Sequence, residues 1–319
     1  DVLLPAGQVM FGGYRIAEGL GLPSMGLALQ PIHPTGQFPP PSVTTRSLGR
    51  WGNRAISRAV LAIGGTRLDK PSKPLWATEG MPGFGMRAML RRQDAARWPV
   101  FYGFSPAVVP RPPDWRDGLE VAGYWWPDRA ADWTPPAELT DFLNAGSPPV
   151  FVGFGSRNPD DAGQLNAMLA AARRQAGVRM VIQAGWSGLA AADQADADQA
   201  AGDDAITIGD APHDWLFPRM AAVVHGAGAG TAAAGLRAGV PAVTVPMIID
   251  QPFWAGRLTA CGVGPAPVPY RQLSTEALAT AIKDAVTRES YRQRAQALAA
   301  QLATENGAAP IVKALAHLQ

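Results

Sequence analysis

The second half of the chain alternates short β-branched runs with alanine-rich stretches of helical length, and this pattern constrains the fold more than any other feature. Such alternation is typical of a parallel sheet whose strands are joined by helices. The predicted strands are Val150–Phe154, Arg179–Ala184, Ile206–Ile208, Ala221–His225, Ala242–Pro246 and a weaker Val263–Val268. Six such β/α steps complete a nucleotide-binding type of domain.

Helices are predicted between and after these strands, with Ser274 as the N-cap of one of them. Their predicted bounds are Ala162–Ala176, His213–Met220, Thr231–Ala238, Gln251–Ala260, Thr275–Thr287, Glu289–Thr304 and Ala308–Leu318.

The first half is less regular and is rich in proline loops, which cannot be central strands because proline lacks the donor that a sheet ladder requires. Its predicted elements are the strands Met25–Leu29, Val100–Gly103 and Leu119–Gly123 and the helix Leu48–Ile63. The segment Pro127–Pro136 is the best linker candidate. We therefore expect two domains, residues 1–136 and 137–319.

Composition excludes several classes of function. The 28 basic and 26 acidic residues are spread along the chain, so no basic run predicts a nucleic-acid partner. The single cysteine, Cys261, allows no internal disulfide, and no apolar run reaches the ~20 residues of a membrane helix. No signal peptide is evident, and we expect a cytoplasmic protein without a transmembrane segment, for which transient membrane contact stays open.

The sequence His225-Gly226-Ala227-Gly228-Ala229-Gly230-Thr231 carries the clearest chemical signal, because a predicted strand passes through glycines directly into a predicted helix. Glycines let the backbone approach a phosphate closely, and the helix start offers free N–H groups and a partial positive charge. A diphosphate site is one interpretation. Tight packing of a helix on a strand is the other, since it also requires glycines.

Asp250 and Gln251 follow the next predicted strand, at the edge where open α/β sheets bind ligands. Their acceptors and donors suit the vicinal hydroxyls of a sugar. Asp250 is also a natural N-cap for the helix that follows, and both roles are compatible.

In these motifs the sequence resembles the GT-B glycosyltransferases of family 1, in the bacterial branch similar to sterol glucosyltransferases and glycopeptide-antibiotic glycosyltransferases. The resemblance covers Val150–Gln319, with a looser match in the first half. It rests on Phe151-Val152-Gly153-Phe154-Gly155-Ser156, Gly185-Trp186, Ala211-Pro212-His213-Asp214-Trp215-Leu216, the turn from His225 to Thr231, and Asp250-Gln251-Pro252-Phe253-Trp254.

The resemblance implies two Rossmann-like domains facing across a cleft, the first only partly present, and transfer of a hexose from a nucleotide diphosphate sugar. UDP- or dTDP-linked donors, inversion, no metal, no cofactor and a lipophilic acceptor, sterol-like or polyketide-like, are also implied. The implied donor-binding residues are Ser156, Trp186, Ala211, His213, His225, Gly228, Ala229, Gly230, Thr231, Asp250 and Gln251. Each has a structural alternative as a cap or core residue.

The sequence departs from the family pattern in two places. That pattern has two consecutive histidines where this chain has His225-Gly226, and the second faces the diphosphate. Because successive strand side chains alternate, we expect His225 to be a structural histidine and turnover to be impaired. The family's catalytic base belongs to a region preceding the part that Asp1 matches, so no base is predicted here; the loop histidine His33 is expected to be incidental.

Three other functions stay open. They are a catalytically impaired nucleotide-sugar-binding or auxiliary protein, a sugar-nucleotide epimerase, and a nicotinamide-dependent dehydrogenase. The dehydrogenase is disfavoured because no strand precedes a full Gly-x-Gly-x-x-Gly fingerprint.

Overall fold

The structure, a computed structural model, describes residues 1–69, 77–78, 85–155, 162–184 and 204–317. It divides the chain into two units. The first unit is Asp1–Trp126 together with Glu305–Gln319, and the second is Pro127–Thr304. The domain boundary that the sequence analysis placed after residue 136 stays a prediction.

The first unit contains a parallel sheet of three strands in the order β1-β2-β3. Its strands are β1 (Gly26–Ala28), β2 (Val100–Tyr102) and β3 (Leu119–Val121), and Leu3 forms a further parallel bridge with Ser24 beside β1. Its helices are α1 (Met10–Leu20), α2 (Gly49–Asp69), α3 (Met86–Ala95) and α11 (Ala309–Ala316).

Helix α1 has no counterpart in the sequence analysis, although its residues carry a helical pattern. Met10, Tyr14 and Ala17 are buried at the spacing i, i+4, i+7. The helix ends at Gly21, whose φ of 64° is left-handed and whose N–H bonds to the carbonyl of Ala17. Three glycines inside α1 obscured this signal. Gly13 is needed because a Cβ there would lie 2.3 Å from the Cβ of Pro5.

The second unit contains a parallel sheet of five strands in the order β6-β5-β4-β7-β8. The strands are β4 (Val150–Gly153), β5 (Met180–Gln183), β6 (Ala205–Ile208), β7 (Ala222–His225) and β8 (Ala242–Thr244). The chain winds outward from β4 in one direction and then returns to β7 on its other side, which is the nucleotide-binding strand order. Parallel α/β architecture is therefore confirmed.

The helices of this unit lie between and after the strands. They are α4 (Ala137–Asn144), α5 (Ala162–Ala176), α6 (His213–Leu216), α7 (Ala229–Ala238), α8 (Gln251–Cys261), α9 (Thr275–Thr287) and α10 (Glu289–Leu302). The prediction for α9 is confirmed in detail, since the Ser274 hydroxyl accepts a hydrogen bond from the N–H of Ala277.

The predicted sixth strand at Val263–Val268 is wrong. The segment does run beside β8, where the Val263 carbonyl accepts from Ala242 and the Val268 N–H donates to Thr244. It forms no strand because Pro265 and Pro267 have no N–H to continue the ladder.

The core of the second unit lies between one face of the sheet and helices α5 and α9. Strand residues such as Val152, Val224 and Val243 pack there against Leu169 of α5 and Ile282 of α9, and all five are at most 2% exposed. This packing fixes the strand ends, and therefore the loops that leave them. No helix in the described ranges is long and apolar enough to cross a membrane.

Candidate functional site

The strand order of the second unit reverses between β4 and β7, whose last residues Gly153 and His225 pair in register. Open α/β sheets bind ligands at the carboxyl ends of the strands that flank such a point. Loops that follow β4, β7 and β8 therefore frame the candidate site. Ser156, predicted in the first of these loops, lies outside the described residues, as does Trp186.

The loop after β7 is anchored by a buried histidine. His225 is 1% exposed, and its Nδ1 accepts a hydrogen bond of 3.0 Å from the N–H of Ala227. Nδ1 is thus the acceptor of the neutral ring, while Nε2 has no hydrogen-bond partner among the described residues. Burial, with a smaller contribution from His213, lowers the pKa of His225 to about 4. The ring acts as a fixed acceptor that holds the turn.

Ala227 has a φ of 59°, in the left-handed region that non-glycine residues rarely adopt. The hydrogen bond from its N–H to His225 explains how this conformation is held. The sequence analysis assigned the glycines of this turn to the close approach of a phosphate and did not predict positive φ at the alanine between two of them.

Helix α7 begins at Ala229, two residues earlier than predicted, with Gly228 as its N-cap. Among the described residues, no side chain caps this helix start. A Cβ added to Gly228 or Gly230 would meet no atom within 4 Å, so the space over the turn is open in the described structure. The first N–H groups of a helix have no intrahelical acceptor. Those of Ala229, Gly230 and Thr231 can therefore receive an anion.

The loop after β8 is tied together by Gln251. Its side-chain oxygen accepts hydrogen bonds from the N–H groups of Met247, at 2.8 Å, and Ile248, at 3.2 Å. Ile249 follows with a φ of 55° although it is β-branched, which marks a strained turn. In the described part of the chain the Gln251 side-chain nitrogen makes no hydrogen bond and is an available donor.

Asp250 occupies the N-cap position of α8, but its carboxylate makes no capping hydrogen bond. Instead Oδ2 accepts a hydrogen bond of 2.9 Å from the indole N–H of Trp254, one helical turn later. The residue is 9% exposed, and Oδ1 has no partner in the described ranges. Of the two roles that the sequence left open, side-chain capping is therefore absent, and an oriented carboxylate remains.

The loops after β7 and β8 meet at Gly226. A Cβ at this position would lie 3.3 Å from the side-chain nitrogen of Gln251. A side chain at position 226 would therefore point toward the loop that carries Asp250, whereas the neighbouring His225 side chain is buried. The structure thus brings the Gln251 side chain next to the loop that follows β7.

Ala211 and His213 lie at the start of α6. The His213 ring stacks on Phe217, with centroids 4.2 Å apart, and meets the edge of Phe151 at 5.9 Å. Burial lowers the pKa of His213, against the opposing effect of Asp210 and Asp214. His213 is thus a neutral aromatic surface at the helix start.

The sequence analysis gave no supporting role to Trp254, Ala227 or Ile249. Trp254 had a detectable signal, because an Asp and a Trp four residues apart share a helix face. The positive φ of Ala227 and Ile249 could not be predicted, because alanine and isoleucine rarely adopt this conformation.

In the first unit, His33 is 6% exposed and shares a hydrogen bond with the hydroxyl of Tyr102. Its carbonyl accepts from the indole of Trp115 at 3.3 Å. Burial, with a smaller effect of Arg116, lowers the pKa of His33 to about 3. His33 therefore serves packing in this unit.

Nowhere in the described ranges do three His, Cys, Asp or Glu residues form a cluster that could hold a metal ion.

Comparison with known proteins places this geometry in a family. Residues 189–318 match the family model of the erythromycin biosynthesis protein CIII-like C-terminal domain. The chain is 35% identical over 318 residues to the O-mycaminosyltylonolide 6-deoxyallosyltransferase of Streptomyces fradiae, covering 92% of this chain and 71% of that protein. It is 34% identical over 312 residues to sterol 3-beta-glucosyltransferase UGT80A2 of Arabidopsis thaliana, covering 95% of this chain but 46% of that relative.

Solved structures show the same fold. The glycosyltransferase of kitacinnamycin aligns with a TM-score of 0.66 at 16% identity, covering 100% of this chain and 76% of that one. The spinosyn rhamnosyltransferase SpnG complexed with thymidine diphosphate aligns with a TM-score of 0.61 at 18% identity, covering 98% and 72%. The chain spans about half the length of the sterol glucosyltransferase and 71% of the length of the Streptomyces fradiae protein. By this sequence identity and this fold, the chain belongs to the family 1 glycosyltransferases of the GT-B fold.

Proposed function

We propose that this protein transfers a hexose from a nucleotide diphosphate sugar to a hydroxyl group of a lipophilic small molecule. The observation that carries the proposal is the uncapped start of α7, with open space over Gly228 and Gly230 at the point where the strand order reverses. Two relatives are named for sugar transfer to a sterol and to a macrolide, which supports an acceptor of this class.

The donor diphosphate lies, in this proposal, on the N–H groups of Ala229, Gly230 and Thr231. A helix start favours negative charge because its N–H groups are unpaired and the peptide dipoles are aligned. The negative charge of the departing diphosphate grows as the glycosidic bond breaks. Fixed N–H dipoles therefore stabilise the transition state more than the ground state.

The sugar lies, in this proposal, against Asp250 and Gln251. Asp250 Oδ1 is an available acceptor and the Gln251 side-chain nitrogen an available donor, while their other polar atoms are used to hold the loop. One acceptor and one donor side by side fit two neighbouring hydroxyls. Ala211 and His213 border the base, and the roles of Ser156 and Trp186 rest on the sequence resemblance alone.

We further propose that the transfer inverts the anomeric carbon and needs neither a metal ion nor a cofactor. A general base takes the proton of the acceptor hydroxyl. The acceptor oxygen attacks the anomeric carbon from the face opposite the diphosphate, which leaves with the bonding electron pair. Proton abstraction is assigned to neither His33 nor His225, because both are buried. We expect EDTA to leave the rate of sugar transfer unchanged. We expect NMR to show a product whose anomeric configuration is opposite to that of the donor.

A catalytically impaired nucleotide-sugar-binding or auxiliary protein is the second candidate, and Gly226 is the observation that favours it. The position faces Gln251, so a histidine there would reach the site, and glycine supplies no such group. A charge-assisted hydrogen bond is worth about 1.5–3 kcal/mol, so its absence slows departure of the diphosphate without preventing donor binding.

The test measures binding of UDP, dTDP and NAD to the full-length protein by calorimetry, followed by transfer from UDP- and dTDP-hexoses to a sterol and to a macrolide aglycone. We expect a diphosphate to bind, NAD not to bind, and the sugar to appear on a lipophilic acceptor. Nucleotide binding without transfer would favour the auxiliary protein. Binding of NAD but of neither diphosphate would overturn both candidates.

A further inference from the structure

A cavity of about 860 Å³ lies in the first unit, and none of its lining residues is assigned to the donor. Residues of α2 and α3 and of the segment that leads into β3 form its wall. Five of the lining residues are arginines and two are aspartates. They are Arg54, Arg58, Arg87, Arg91, Arg116, Asp94 and Asp114.

The arginines follow the helical repeat. Arg54 and Arg58 are four residues apart on α2, and Arg87 and Arg91 are four residues apart on α3, so each pair lies on one helix face. Like charges at this spacing destabilise a helix. Helices α2 and α3 pack against each other, and each carries such a pair at the same cavity. Positive charge is therefore concentrated there although it lowers the stability of the helices.

Both aspartates of the cavity already have partners. Asp114 accepts hydrogen bonds from the hydroxyl of Thr35 at 2.6 Å and the N–H of Gly36 at 2.8 Å, and it lies 3.6 Å from Arg54. Asp94 pairs with Arg116 at 2.8 Å. Neither carboxylate is left to neutralise another arginine.

Three arginines of the cavity have no acidic partner among the described residues, namely Arg58, Arg87 and Arg91. All three are exposed, and no hydrogen bond or ion pair links them to another described residue. The rest of the wall is largely apolar and includes Leu61, Leu90 and the 5% exposed Trp115. In the part of the chain that the structure describes, the cavity therefore combines guanidinium groups that have no ion-pair partner with an apolar surface.

We propose that this cavity binds a phosphate group attached to an apolar body. Guanidinium groups bind phosphate through paired, charge-assisted hydrogen bonds. A phosphate monoester offers three terminal oxygens to three arginines, one more than a carboxylate offers. The apolar wall receives the body of the ligand and excludes water from it. An acidic phospholipid headgroup and a soluble phosphorylated metabolite share this chemistry.

The test compares the full-length protein with a variant in which Arg58→Gln, Arg87→Gln and Arg91→Gln are combined. A matched variant combines Arg46→Gln, Arg174→Gln and Arg271→Gln, which removes the same charge from exposed arginines outside the cavity. Because all six side chains are at the surface, both variants are expected to melt at the wild-type temperature. Binding of dihexanoyl phosphatidic acid is measured by calorimetry, with saturating UDP present so that the proposed donor site is occupied.

We expect saturable binding that is at least about tenfold weaker in the cavity variant and unchanged in the matched variant, since each lost charge-assisted hydrogen bond costs about one decade. Sedimentation with vesicles of phosphatidylcholine and phosphatidic acid, but not of phosphatidylcholine alone, would identify a membrane lipid as the source. Binding of the soluble probe without sedimentation would identify a free phosphorylated compound. No binding, equal loss in both variants, or displacement by UDP would overturn the proposal.

Discussion

The loops after β7 and β8 leave neighbouring strands of one sheet and share a plan. Each passes through a non-glycine residue of positive φ, Ala227 or Ile249, and then enters a helix. Each is held by a side chain that accepts from loop N–H groups, His225 in one case and Gln251 in the other. A left-handed alanine or isoleucine costs of order 1–3 kcal/mol, so these hydrogen bonds stabilise both turns.

The two loops differ in whether the anchoring residue comes before or after the turn. His225 comes before its turn and is buried, so the helix start that follows presents bare backbone over Gly228 and Gly230. Gln251 comes after its turn, so the same loop presents the side chains of Asp250 and Gln251. One loop is therefore suited to a phosphate that needs close N–H groups, and the other to hydroxyls that need placed acceptors and donors.

Filling the open space of the first loop is expected to have the largest effect. Gly230→Leu adds a side chain where a Cβ meets nothing within 4 Å, in a helix that leucine favours over glycine. The melting temperature should not fall, while UDP binding weakens about 100-fold, or about 2.8 kcal/mol. Gly256→Leu, at an exposed and equally open helical glycine of α8, is the matched control. Equal UDP affinity in both variants would contradict the assignment.

Changing the carboxylate of the second loop is expected to act on the sugar rather than on the diphosphate. Asp250→Asn keeps an oxygen for the indole of Trp254 but loses the charge, and we expect transfer to slow about 30-fold, or about 2 kcal/mol, at unchanged UDP affinity. Asp250→Ala should slow transfer equally and also lower the free energy of unfolding by about 1–3 kcal/mol, because the buried indole N–H loses its acceptor. Initial rates and urea unfolding separate the two effects. Wild-type transfer by Asp250→Asn would refute the sugar contact.

The buried histidine that anchors the first loop predicts a pH dependence, whereas Gln251, the anchor of the second loop, is not titratable. His225 is neutral in the folded protein down to a pKa of about 4, while an unfolded histidine takes up a proton near pH 6.5. Stability is therefore fully present above pH 6.5 and is lost as the pH falls toward 4. Between pH 7 and pH 5 the loss from this residue is about 2 kcal/mol.

Urea unfolding at these two pH values checks the prediction. His225→Asn should remove this part of the loss, whereas His317→Asn, at an exposed histidine, should keep the wild-type difference. His33 contributes in the same direction within the first unit, since its pKa is also lowered by burial. An identical pH dependence in His225→Asn and the wild type would show that the ring is not held neutral.

The smallest expected effect is at Gly226, where the two loops meet. Gly226→His and Gly226→Ala both place a Cβ 3.3 Å from the Gln251 nitrogen, so that side chain must shift by a few tenths of an ångström in both variants. Only histidine adds a charge-assisted contact. We expect turnover about tenfold higher in Gly226→His than in Gly226→Ala. Equal turnover would mean that the diphosphate does not approach this position.

Much of the second unit could be predicted from its sequence because local signals and burial agree there. The Ser274 cap, helix 162–176 and five of the six strands follow from propensity and periodicity. The prediction of a sixth strand is wrong because Pro265 and Pro267 lie among its apolar residues and cannot donate to a sheet. Helix 137–144 and helix α1 have no counterpart in the sequence analysis.

The sequence predicts a set of candidate site residues but not their geometry. Glycines and an Asp-Gln pair at strand ends indicated the ligand-binding edge. The acceptor role of His225 Nδ1, the bond from Trp254 to Asp250 and the positive φ of Ala227 depend on how neighbouring elements pack. The arginine cavity likewise requires two helices, separated in sequence, to face each other.

The most direct measurement is a crystal structure of the full-length protein with a bound nucleotide diphosphate. We expect pyrophosphate oxygens within hydrogen-bonding distance of the N–H groups of Ala229, Gly230 and Thr231, with Asp250 facing the position of the hexose. A diphosphate bound elsewhere, or a start of α7 that remains unoccupied at saturating nucleotide, would contradict this expectation.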